Sequence, residues 1–188
     1  MKRTLAVLLI LFGVICLLSG TKTVLAEDTS YMVGPGDVLE ISVWKDESLS
    51  RNIIVPPDRM ISFPLAGDID GNNMTITMLR ETIRKRLSEY VPDATVTVIL
   101  KEINSLRVYV IGKVNNPGQF AIGLDTTVMQ VLSMAGGLNP YADEGKIYIL
   151  RQNGGKTTRI FFNYKEVIKG KDLEQNLLVQ RGDVIIVP

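Results

Sequence analysis

The sequence predicts an α+β protein, and three observations carry that expectation. Short apolar strands with a period of two recur along the chain. Two or three stretches of helical period are mixed among them. The chain also opens and closes on one device, a Gly-Asp turn feeding an apolar strand: Gly36-Asp37-Val-Leu-Glu-Ile-Ser-Val-Trp44 and Gly182-Asp183-Val-Ile-Ile-Val187. In the first copy Pro35 suits the second position of a turn, and Gly36 suits the third, where a type II turn needs φ > 0.

Residues 1–26 read as a secretory signal peptide. Lys2 and Arg3 form a positive start, Leu5 to Leu18 an apolar core short for a bilayer, and Val24-Leu25-Ala26 a small-residue cleavage site. Cys16, the single cysteine, follows Ile15, and the residue after Leu18-Ser19-Gly20 is Thr21, whose hydroxyl cannot form a lipid thioether. The expectation is a soluble, non-lipidated protein. Removing Lys2, Arg3 and Lys22 leaves 18 basic residues against 20 acidic ones. That balance offers no footprint for nucleic acid. Beyond the signal there is no Cys and no His, which excludes thiol nucleophiles, disulfides, Ser-His-Asp triads and the usual zinc sites. No cofactor or metal is expected.

Along the remaining chain of about 160 residues, Val38–Trp44 alternates with Leu39, Ile41 and Val43 on one face. Lys45 to Asn52 reads as a polar loop, Ile53–Val55 as a short strand stopped by Pro56-Pro57-Asp58. Met60–Pro64 and Leu65–Asp68 give another short strand and turn. After the turn Gly71-Asn72-Asn73, residues Ile76, Leu79, Ile83, Leu87 and Val91 form one apolar helical stripe. Thr75 or Thr77 would cap it, and Pro92 would end it. Thr95–Leu100 alternates again. Lys101–Ser105 is a seam, so units are expected over 31–104 and 106–188. In the second unit Leu106–Ile111 and Gln119–Ile122 flank the turn Asn115–Gly118. Asp125 or Thr126 would cap a short helix carrying Val128, Val131, Leu132 and Ala135, closed by Gly136-Gly137. Asn153-Gly-Gly155 marks a hairpin, Asn163 caps a helical turn, and Val184–Val187 is the last strand. The paired Gly-Asp copies leave open that Val38–Trp44 and Val184–Val187 share one sheet, with the first unit partly an insertion into the second.

The motif Tyr31-x-x-Gly34-Pro35-Gly36-Asp37-Val-Leu-x-Ile-x-Val-Trp44 resembles the opening of the outer-membrane polysaccharide export family. The Ile61–Val98 stretch, with its Thr-led helix and Pro92-Asp-Ala-x-Val96 strand, resembles the rest of that family's export domain. Val108-Tyr-Val-Ile-Gly112-Lys-Val-Asn-Asn-Pro117-Gly118, Ala135-Gly136-Gly137 and Asp172–Asp183 resemble a soluble-ligand-binding β-grasp (SLBB) domain. The resemblance implies a small export domain of short strands with one amphipathic helix, followed by a β-grasp-like domain. It implies a periplasmic or outer-membrane-associated ring through which polysaccharide passes. The implied partners are an inner-membrane polysaccharide co-polymerase and a separate outer-membrane β-barrel. The family's pore-forming members carry a lipidated cysteine and a C-terminal helix, and the chain shows neither. The short, helix-less members are therefore the nearest comparison.

The chemical alternatives are weaker. Gly34-Pro35-Gly36 is followed by a strand and lacks the Lys-Ser/Thr of a phosphate loop. Asp37 and Asp183 are expected to accept backbone N–H groups within their turns. Asp68, Asp70, Asp143 and Glu144 fall in turns and read as solvated rather than as a glycosidase pair. Asp68-x-Asp70-x-Asn72 lacks the Gly at the sixth place of a calcium loop and has Leu79 at the twelfth. Arg80, Arg84, Lys85 and Arg86 make a basic helix face, either solvated or in contact with an acidic neighbour or an anionic sugar chain. Trp44, Tyr109 and Tyr141 could stack on sugars, though buried packing is the expectation for each. A monomeric sugar-binding module and a carboxylate-dependent hydrolase or lyase remain the functional alternatives to export.

Overall fold

The computed structural model describes residues 31–188. The signal peptide, its cleavage site and Cys16 lie outside the described residues.

The fold is α+β, built on two hydrophobic cores. In the first unit, β1 (Val38–Val43) forms a tight hairpin with β2 (Asp46–Ile54) and pairs on its other side with β5 (Val96–Glu102), giving the antiparallel order β2-β1-β5. A second hairpin joins β3 (Met60–Phe63) to β4 (Gly67–Asp70). The helix α1 (Ile76–Leu87) follows. The period-two pattern of β1 places Leu39, Ile41 and Val43 in the core, where they meet Leu79, Ile83 and Leu87 of α1 together with Ile61, Phe63 and Ile69 of the small hairpin. Thr75 caps α1, its side-chain oxygen accepting from the Met78 amide at 3.2 Å. The helix stops at Leu87, short of Pro92, and Val91 packs against the core from the turn beyond.

In the second unit β6 (Arg107–Gly112), β7 (Gly118–Ala121), β8 (Ile147–Asn153), β9 (Lys156–Phe162) and β10 (Val184–Val187) form one sheet in the order β7-β6-β10-β8-β9. β10 lies at its centre, parallel to β6 and antiparallel to β8. The helix α2 (Val128–Met134) and the single turn α3 (Tyr164–Val167) cover one face. Thr127 caps α2 through a reciprocal bond with Gln130. Gly136 and Gly137 end it in left-handed conformations, their amides bonding the carbonyls of Ser133 and Leu132. The turn at Gly154-Gly155 has φ of 55° and 83°, the geometry a two-residue hairpin favours.

Five expectations are corrected. Asp68 and Asp70 lie on the strand β4 instead of in turns. The stretch expected as a polar loop is most of β2, an edge strand whose one fully buried side chain is Leu49. The cap of α2 is Thr127 instead of Asp125 or Thr126. β1 and β10 do not share a sheet: β1 is flanked by β2 and β5, and β10 by β6 and β8. Trp44, Tyr109 and Tyr141 are not buried, being 73%, 42% and 81% exposed. Trp44 stands at the tip of the β1–β2 turn and Tyr141 in the Asn139–Ala142 turn, where no second layer covers them.

Candidate functional site

The two Gly-Asp turns are built alike. In each, a left-handed glycine (Gly36, φ 88°; Gly182, φ 82°) precedes a buried aspartate whose carboxylate accepts the amide three residues back. Asp37 accepts from Gly34 at 2.7 Å and Asp183 from Gln180 at 2.8 Å. Each glycine amide and each aspartate carbonyl also bonds the chain alongside, Val55 just beyond β2 in one case and Arg107 and Tyr109 of β6 in the other. Both turns therefore serve to launch a central strand.

They differ in what else the carboxylate holds. Asp37 reaches the seam between the units. Its Oδ1 accepts the backbone amides of Asn104 and Ser105 at 3.0 and 2.9 Å, and its Oδ2 accepts the hydroxyls of Ser105 (3.1 Å) and Tyr31. With five donors on it, this carboxylate pins the chain where it passes from β5 into β6. Burial, then the bond to Asp37, pushes the Tyr31 phenol up to about 12. Asp183 instead takes a bidentate grip from Arg151, with Nε at 3.0 Å and Nη2 at 2.7 Å, and the same guanidinium donates to the Leu178 carbonyl. No sequence signal marked Arg151, which lies on β8 and faces Asp183 only because β8 and β10 are neighbours.

The units meet directly at this seam. Arg181, beside the second turn, donates to the Met32 carbonyl at 2.8 Å. Its guanidinium lies against Gly34, so closely that a Cβ there would sit 2.0 Å from Nη1 and 2.6 Å from the Ser105 Cβ. Gly34 is thus required for close approach. Tyr31, Gly34, Pro35, Gly36, Asp37, Gly182 and Asp183 all gather at this end of β6. The other signature residues gather at its far end. The Asn115–Gly118 turn, which includes Pro117, is stitched to the close of α2, Asn116 bonding the Ala135 carbonyl and Asn115 the carbonyls of Gly137 and Gly136. Gly112 touches Val187 across the β6–β10 pair.

Beside the seam an open cleft of about 350 Å³ is lined by Arg59, Arg107 and Arg181, with Tyr109, Gln119 and Asn104. None of these was singled out in the sequence except Tyr109, because the arginines lie far apart along the chain and no local pattern links them. The basic residues that were singled out lie elsewhere. Arg80 and Arg84 pair with Glu81 at 3.4 and 2.9 Å on the outer face of α1. Arg86 donates to the carbonyls of Ala66 and Asp68, tying α1 to the β3–β4 hairpin. Asp70 accepts from Asn72, and Asp143 pairs with Lys146. Among the described residues no cluster of metal-ligating side chains occurs, and no helix is long and apolar enough to cross a membrane.

A launching turn for each central strand, a carboxylate clasp between β5 and β6 and a second sheet with a central parallel pair make a scaffold around two cores. Residues 25–101 match the polysaccharide biosynthesis/export protein model, and residues 106–187 match the SLBB domain. The chain thus carries a polysaccharide biosynthesis/export domain followed by an SLBB domain. It is 29% identical, over 87% of its length, to the EPS I polysaccharide export outer membrane protein EpsA of Ralstonia nicotianae, and covers 48% of that protein. The EpsA of Ralstonia solanacearum is 32% identical over 70% of the chain, which covers 41% of it. The polysialic acid transport protein KpsD of Escherichia coli is 26% identical over 84% of the chain, which covers 28% of it. The chain thus spans less than half the length of these relatives.

Proposed function

We propose that the protein is a non-enzymatic envelope component of a polysaccharide export machine. Several copies close into a ring by head-to-tail contacts, since a heterologous interface that closes gives a cyclic oligomer, and the polymer threads the opening. A hydrated glycan in transit needs a polar passage that binds weakly enough to release it. The ring spans the periplasm and works between an inner-membrane co-polymerase and a separate outer-membrane β-barrel. The observation that carries this reading is the succession of export and SLBB domains in one chain, shared with relatives named as polysaccharide exporters. The use of both signature carboxylates as structural clasps supports it.

A monomeric sugar-binding module is the second reading, favoured by the open cleft at the seam. Two measurements separate them. Deleting the gene should abolish surface or secreted polysaccharide, and light scattering with the membrane partner present should give a closed multiple of the protomer mass. A strict monomer under those conditions, with export intact in the deletion, overturns the ring and the export role.

A further inference from the structure

We propose that the cleft at the seam is a binding site for a carboxylate-bearing sugar, a uronate-type unit of an acidic glycan. This deepens the export role and rests on it. Arg59 comes from the first unit, Arg107 and Arg181 from the second, and all three line one cleft while only half-exposed. Among the described residues none of the three makes an ion pair. Their bonds go to neutral oxygens: Arg59 to the Asn72 side chain (2.9 Å), Arg107 to the Asn104 carbonyl (2.9 Å), Arg181 to the Met32 carbonyl (2.8 Å). Each guanidinium has five N–H donors, so each keeps donors for a ligand. Two carboxylates adjoin the lining: Asp37, buried with its oxygens held by Tyr31, Gly34, Asn104 and Ser105, and Glu102, which accepts from the Asn104 side chain at 3.1 Å, so three guanidiniums against two carboxylates leave a positive surplus.

The backbone supports the same assignment. Arg59 sits at φ 61°, a left-handed conformation that favours glycine or asparagine, yet the position carries an arginine. The rest of the lining selects a sugar over a small inorganic anion. Tyr109 offers an exposed aromatic face for pyranose C–H groups, and the Gln119 amide can both donate to and accept from hydroxyls. A volume of about 350 Å³ exceeds what a phosphate fills and suits one or two sugar rings.

The test is calorimetry on the purified protein with digalacturonate, its neutral dimethyl ester and inorganic phosphate, at low salt. Digalacturonate should bind about tenfold or more tightly than the ester, and Arg59→Gln and Arg107→Gln should each weaken it about tenfold while leaving the circular dichroism unchanged. Phosphate should compete poorly. Equal binding of acid and ester, variants that bind as the wild type does, or phosphate displacing the sugar at equal concentration would each overturn the proposal. So would variants that change the oligomeric mass and leave sugar binding untouched, since the arginines would then serve a protein contact. The gene deletion keeps the two inferences apart. If it abolishes export while acid and ester bind alike, the sugar assignment alone fails; if export is unaffected, the export role fails whatever binds.

Discussion

Asp37 and Asp183 stand at equivalent places in two copies of one turn, yet their surroundings solve the same problem differently. A buried carboxylate must recover its hydration through hydrogen bonds or a partner charge. Asp37 recovers it from backbone amides and hydroxyls, Asp183 from Arg151. The second solution has a sharper consequence. Asp183 is 1% exposed and Arg151 14%, so removing either leaves a desolvated, unpaired charge. Asp183→Ala should therefore lower the unfolding free energy by about 3 kcal/mol in urea titration, most of it from the orphaned Arg151. The double variant Asp183→Leu with Arg151→Met should recover part of that loss, because it removes both charges at once. An unaltered double-variant deficit would mean that the turn amide of Gln180, not the ion pair, dominates.

Strands and helices were legible where one face is buried and illegible where neither is. β1 announces itself because Leu39, Ile41 and Val43 alternate with half-buried neighbours. β2 hides because an edge strand with a single fully buried side chain has a polar composition and no clean period, and its existence follows from pairing with β1 across a two-residue turn. The arginines of the cleft were out of reach for a different reason: Arg59, Arg107 and Arg181 converge only after both units fold. Gly112 shows how an element can hang on one residue. It ends β6 at φ 97°, and a Cβ there would meet the Val187 carbonyl oxygen at 2.0 Å, in the backbone of the central strand. Backbone cannot step aside as a flexible side chain can. Gly112→Ala should cost about 3 kcal/mol, from conformational strain plus the displaced β6–β10 pair, and should speed amide exchange along β10. Gly137→Ala, with similar φ (79°) and open space around it, should cost only about 1 kcal/mol. Equal costs at the two positions would refute the contact as the cause.

At the scale of the molecule, two cores share no residue among the described ones, and a set of hydrogen bonds at the seam connects them. Local pattern could not tell that the two sheets stay separate, and matched Gly-Asp motifs even suggested a shared sheet that does not form. What joins the units is polar: the Arg181–Met32 bond and the clasp of Tyr31, Asp37, Asn104 and Ser105. A polar junction responds to pH through its titrating member. The Tyr31 phenol is raised from 10.0 to about 12, so the folded state prefers it protonated. Below pH 10 the phenol is protonated in folded and unfolded chains alike, and its contribution to stability is complete. As pH climbs from 10 toward 12 the unfolded chain releases the proton first, so that contribution falls away. Phenylalanine at this position keeps the ring and removes the titration. The stability advantage of the wild type over Tyr31→Phe should hold steady from pH 8 to 10 and shrink from pH 10 to 12, as read from urea midpoints, while phenolate absorbance places one tyrosine titrating late. An advantage that stays constant to pH 12 would show that the Tyr31 hydroxyl carries no part of the clasp between the two units.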